Sequence, residues 1–148
     1  MLDLVKLKEE IIKNSNDEVS LQIRRDDEDE LFFVGTIKSN LYRNNLIYVG
    51  LRITSHGYLD ARFDFLEHRL DDRDDDSYFF VNQFNAKDIS PLTMTIIEDE
   101  NNTSFLELKG QSLGLESVES ALNVFTFYLR ELSEEEVIEH VYMLGAVK

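Results

Sequence analysis

The chain has no cysteine, and that absence removes disulfides, thiolate nucleophiles and cysteine-ligated zinc together. It also fits a reducing compartment. No stretch approaches the ~18 consecutive apolar residues that a membrane-spanning helix needs. The first residues, Met1 to Glu10, lack the long apolar core and small-residue cleavage site of a signal peptide. The sequence therefore predicts a soluble, cytoplasmic protein. Basic residues are the other deficit: Lys and Arg number 15 against 30 Asp and Glu, a formal net charge of -15. Such a surface repels nucleic acid and anionic membrane and favours basic partners.

What is present is a folded body. Hydrophobic residues make up 43% of the chain, with 10 Phe and 6 Tyr, which a disordered acidic tail would lack. At 148 residues the chain is long enough for one domain with a real core. The acids cluster in runs: Asp26 to Glu30, Asp71 to Asp76 (interrupted by Arg73), Glu98 to Glu100 and Glu134 to Glu136.

The apolar spacing gives the order of elements. Leu4, Val5, Leu7, Ile11 and Ile12 predict a helix over residues 2–14. Val19, Leu21 and Ile23 alternate as in a half-buried strand. After the acidic turn 26–30, Leu31 to Ile37 form a second strand, and a turn over Ser39 to Asn45 leads to a third at Leu46 to Ile53. The tight connection Ser55-His56-Gly57 introduces a fourth, where Leu59, Ala61, Phe63 and Phe65 alternate. Ser77 is placed to cap a short helix, Tyr78 to Ala86, although its aromatics also permit a strand. Pro91 opens a hairpin, with Leu92, Met94 and Ile96 on one arm, a turn at Glu98 to Asn102 and Phe105 to Leu108 on the other. Gly110 to Gly114 is a loop. Leu115, Val118, Leu122, Phe125 and Leu129 trace a long helix, and Ser133 with Glu136 predicts a capping box opening a last one through Leu144. Neither a linker nor an internal repeat interrupts this order. The expectation is a single α+β domain over 1–148. Its mainly antiparallel sheet, a four-strand meander plus a hairpin, carries N-terminal, central and C-terminal helices.

From Val81 onward a motif, Asn82-Gln83-Phe84-Asn85, closes a helix before a strand, an acidic turn, a second strand and a long helix. Over residues 77–131 this resembles the YbjN-like family, which has the type III secretion chaperone-like fold. The last helix, 134–144, departs from that pattern. The resemblance implies a small acidic protein that dimerises and binds other proteins without a catalytic site. The family's label of sensory transduction regulator names no mechanism. Its secretion-chaperone relatives bind extended segments of client proteins.

Chemical motifs are scarce. Asp72, Asp74 and Asp76 alternate as in a calcium loop, but Ser77 stands where the loop requires Gly, and Gln83 where it requires Glu. The run from Asp26 fails likewise, with Leu31 and Ile37 at those positions. His56, His68 and His140 show no two-histidine metal spacing. His68 lies beside Glu67, and His140 follows Glu136 by one helical turn, a common surface pair. There is no G-x-S-x-G elbow, P-loop or G-x-G-x-x-G. No catalytic residue, metal or cofactor is expected.

The apolar residues are more suggestive. Phe32 and Val34 face opposite to Leu31, Phe33 and Ile37, while Leu46 and Tyr48 oppose Ile47, Val49 and Leu51. Such strands are either covered by helices on both faces or present one face to a partner. The predicted function is a non-enzymatic acidic protein-binding module, chaperone-like or regulatory. Its partner is a protein with a basic or apolar surface, or a second copy in a homodimer. Candidate contact residues are Phe32, Val34, Leu46 and Tyr48, with Asp71, Asp72, Asp74, Asp75 and Asp76 as acidic steering groups. Two alternatives stay open: an acidic inhibitor or immunity protein, or DNA mimic, that blocks a basic active site; and a small carboxylate- or metal-dependent enzyme.

Overall fold

A computed structural model describes residues 1–38, 46–70, 75–88 and 90–145; for 67–70, 75–77 and 142–145 it describes the backbone alone. In chain order the elements are α1 (Leu4–Asn14), β1 (Val19–Asp26), β2 (Glu30–Lys38), β3 (Leu46–Thr54), β4 (Leu59–Leu70), α2 (Asp75–Lys87), β5 (Thr93–Glu98), β6 (Ser104–Ser112), α3 (Val118–Leu132) and α4 (Glu135–Gly145). This is the α+β architecture the apolar spacing predicts. The turn expected at 39–45 lies outside the described residues.

The six strands form one sheet in the order β1-β2-β3-β4-β6-β5, and every neighbouring pair is antiparallel. The meander and the hairpin are thus fused, with β6 joined to β4 and β5 outermost. Leu31, Phe33, Val49, Leu51, Phe63, Phe65, Leu106 and Leu108 share one face and are buried. All four helices add to this cluster, including Leu7 and Ile11 of α1, Phe84 of α2, Phe125 and Tyr128 of α3, and Val137 and Val141 of α4. The helices therefore cover one side of the sheet. Four phenylalanines in it, Phe33, Phe63, Phe65 and Phe84, are no more than 1% exposed, and each contributes about 1.5–3 kcal/mol by burial.

Local chemistry sets the ends of the elements. The Asp3 carboxylate caps α1 by accepting from the Lys6 N–H at 3.1 Å. Beyond α1, the Ser15 hydroxyl accepts from the Leu21 N–H at 3.3 Å, and Asn16 Oδ1 accepts from the N–H groups of Glu18 and Val19. Gly57 takes φ +87 in the β3–β4 turn, where a Cβ would run into the Leu115 carbonyl. Gly110 leaves room for the Tyr128 ring, whose hydroxyl donates to the Gln111 carbonyl at 2.9 Å and also bonds the Ser112 hydroxyl.

The sequence expectations need correction in three places. Ser77 lies inside α2 rather than capping it, since the helix begins at Asp75. β6 runs on to Ser112, into the stretch expected as a loop. Ser133 opens no capping box. It closes α3, with its hydroxyl donating to the Leu129 carbonyl at 3.2 Å and its N–H to Arg130. The capping box lies at the start of α3, where Ser117 and Ser120 bond reciprocally. A serine is polar enough for either helix end, and only its position relative to both helices decides between them.

Candidate functional site

On the side of the sheet away from the helices, the strands present a second set of residues. The register places them in rows: Phe32 beside Arg52 and Asp60, Val34 beside Gly50 and Arg62, and Tyr48 beside Asp64 and Glu107. Together they line a concavity of about 530 Å³ in the middle of the sheet. Gly50 helps to open it, since a Cβ there would meet only the Phe32 ring, at 3.7 Å. Of the predicted apolar contact residues, Phe32, Val34 and Tyr48 line this concavity. Leu46 is half-buried and pairs with Lys38 at the end of the same face. Of the two arrangements the apolar pattern allowed, the described helices cover one face at the centre of the sheet and none of them covers the other.

Asp71, Asp72 and Asp74 lie outside the described residues, as does the side chain of His68. Asp75 and Asp76 open α2. The β1–β2 turn adjoins the β3–β4 turn, while β4 ends at Leu70 on the opposite edge. The turn at 26–30 is largely neutralised. Asp26 pairs with Lys8 at 2.6 Å, Asp27 with Arg25 at 2.9 Å and Glu30 with Arg52 at 2.9 Å. Asp27 Oδ1 accepts from the N–H groups of Asp29 and Glu30, both at 2.9 Å, an Asx turn that shapes the connection. The hydrogen bond from Arg25 holds the Asp27 carboxyl below its usual value.

The concavity holds carboxylates that the sequence reading passed over. Asp60 and Glu107 are each 6% exposed. Asp60 Oδ2 pairs with Arg62 at 3.3 Å, while its Oδ1 is buried with no hydrogen-bond partner. Asp64 Oδ1 is in the same condition. Asp64 and Glu107 are direct cross-strand partners, and like charges so placed repel. Burial first, then the hydrogen bond and charge of Glu107, push the Asp64 carboxyl up to about 8, against a smaller opposing pull from Arg62. Asp64 therefore keeps its proton at neutrality and shares it with Glu107. The Thr95 hydroxyl also reaches Glu107, at 3.5 Å.

Among the described residues no three carboxylates or imidazoles are grouped to hold a metal ion. His140 Nδ1 meets the Glu136 carbonyl at 2.7 Å rather than its carboxylate, and the His140 ring stands edge-on to Phe84 at 5.3 Å. No described helix is long and apolar enough to cross a membrane. Chemically, the concavity can hold a proton near neutrality, release it, or exchange it for another cation.

The motif behind the family resemblance has a structural role here. Phe84 is core, and the Asn85 amide donates to the Met94 carbonyl at 2.9 Å and accepts from the Met94 N–H at 2.8 Å. Comparison of the chain with family models, curated proteins and solved structures finds no match.

Proposed function

We propose that this protein is a non-enzymatic protein-binding module, and that the open, concave face of its sheet is the contact surface. One observation carries the proposal. Phe32, Val34 and Tyr48 line a concavity on the face without helices, and apolar side chains there gain from being covered. Arg52 and Arg62, about half exposed, give the apolar patch a polar rim, as in many interfaces. The net charge of -15 speeds association with a basic partner. It also opposes a close pair of identical copies, so a basic protein is the preferred occupant. The YbjN-like resemblance points to the same class of function. An inhibitor that imitates nucleic acid has less support, because Asp26, Asp27 and Glu30 of the β1–β2 turn are already paired with Lys8, Arg25 and Arg52.

The test is the double substitution Phe32→Ser with Tyr48→Lys, made on the solvent side of the strands so that the core is untouched. Solution mass and affinity capture would be compared for wild type and variant. The proposal expects a specific basic partner to bind wild type and to be lost in the variant. A dimer that the substitutions dissociate would make a second copy the occupant. Binding that survives both substitutions would sink the open face as the contact surface.

A further inference from the structure

The concave face leaves two buried hydrogen-bond acceptors unfilled. Among the described residues, the buried side-chain atoms without a partner are Ser55 Oγ, Asp60 Oδ1 and Asp64 Oδ1. The latter two belong to residues that line the same concavity. A buried acceptor without a donor loses its hydration with nothing in exchange. It is also what a donor-bearing ligand would find ready-made. Asp60 is the clearest instance, with its side chain 8% exposed and one oxygen held by Arg62.

The charges around the site point the same way. On the same face as Asp64 lie Tyr48 and Arg52 from β3, Asp60 and Arg62 from β4, Glu107 and Lys109 from β6, and Glu30 and Lys38 from β2. Arg52 and Arg62 are already engaged by Glu30 and Asp60. An incoming anion would meet Asp60, Asp64 and Glu107 together. An incoming cation would meet unpartnered carboxylate oxygens and an aromatic wall, because Phe32 and Tyr48 border the same space. Aromatic faces attract cations and cover the methylene stem of a lysine.

We propose that the concavity is a seat for basic side chains of the partner: an ammonium or guanidinium group of lysine or arginine anchored between Asp64 and Glu107, with a second donor reaching Asp60 Oδ1 four residues along β4. This rests on the open face being the contact surface and names the chemistry it selects. The incoming cation takes the place of the proton that Asp64 holds up to about 8. Below that pH, binding therefore displaces a proton, and affinity rises with pH as Asp64 ionises.

The probe is a blocked peptide of alternating lysine and serine, titrated into isotope-labelled protein at near-physiological salt. Its fully lysine-acetylated twin is the neutral control. The expected result is a set of amide shifts centred on Tyr48, Asp64 and Glu107 with the lysine peptide and none with the acetylated one. Calorimetry at neutral pH in buffers of different ionisation heat should show about one proton released per peptide. Asp64→Asn should weaken binding by at least about tenfold and abolish proton release. Glu107→Gln should also weaken it, and a melting curve for each variant establishes that it folds. Equal affinity in wild type and Asp64→Asn, shifts confined to the turn at 26–30, or no shifts at Asp64 would each overturn the seat. If the peptide fails while Phe32→Ser/Tyr48→Lys still abolishes partner binding, the contact surface stands and the cation seat falls. If the peptide binds at Asp64 but those substitutions spare the partner, the seat stands and the contact surface falls.

Discussion

The β1–β2 turn and the concave sheet face both carry carboxylates, and they use them in opposite ways. In the turn Asp26 to Asp29 stand in water and Glu30 is half-buried. Lys8, Arg25 and Arg52 pair with them, and Asp27 organises the backbone. On the face there are fewer acids, but Asp60 and Glu107 are almost wholly buried, and Asp64 and Asp60 each keep an oxygen unpartnered. A count of charges ranks the turn first. Local environment reverses that order, because a solvated and paired carboxylate has little left to offer a ligand.

The two regions should differ most in the pH dependence of stability. Asp64 moves from its usual 3.8 up to about 8 on folding. Between those values the native state holds a proton that the unfolded chain has lost. Its contribution is therefore fully present below about pH 4, falls as pH rises and is gone above about pH 8. Asp64→Asn should flatten that decline and leave the variant more stable than wild type in alkali. The gain is on the order of 2 kcal/mol after discounting for partial solvent screening. Melting temperatures measured from pH 4 to pH 9 check this, and identical profiles for both proteins would remove the buried-acid account.

A smaller effect is expected in the turn. Asp27→Ala removes the acceptor that holds the Asp29 and Glu30 N–H groups and should lower the melting temperature by a few degrees. Asp27→Asn keeps an acceptor and should recover most of that loss. If the two variants fall equally, charge rather than hydrogen bonding shapes the turn. The smallest effect belongs to Glu28→Gln at the exposed tip, where the melting temperature should not move. A clear change there would mean that the turn's acids are less well neutralised than their pairing indicates.

Much of the fold was legible because strands and helices print their periods on the sequence. The alternation of Leu59, Ala61, Phe63 and Phe65 gave the buried phase of β4 directly. That same alternation hid the site. Asp60 and Asp64 occupy the polar phase of the strand, and in sequence they look like any solvent-facing carboxylates. Their burial depends on β6 pairing with β4, which sets Glu107 opposite Asp64. No local pattern encodes that contact. One signal was available: Glu107 interrupts the apolar run of Phe105, Leu106 and Leu108, and a lone acid in such a run is either paired or functional. Phe32, Val34 and Tyr48 were legible as a second apolar stripe because strands with one solvated face rarely carry one. Ser133 misled because the sequence could not say which of two adjoining helices it terminates.

The side chains at the two outer strands carry a further consequence. β1 and β5 are the margins of the sheet, and a bare margin recruits foreign strands into aggregates or bound peptides. The Asn85 amide occupies both the N–H and the carbonyl of Met94 on β5, as a neighbouring strand would. Ser15 takes the Leu21 N–H on β1, and the irregular register between Ile23 and Arg25 breaks the ladder further along. The sheet is thus plugged against lengthening at Met94 and Leu21, in the body of each outer strand. A foreign strand would have to displace those side-chain bonds before it could pair there.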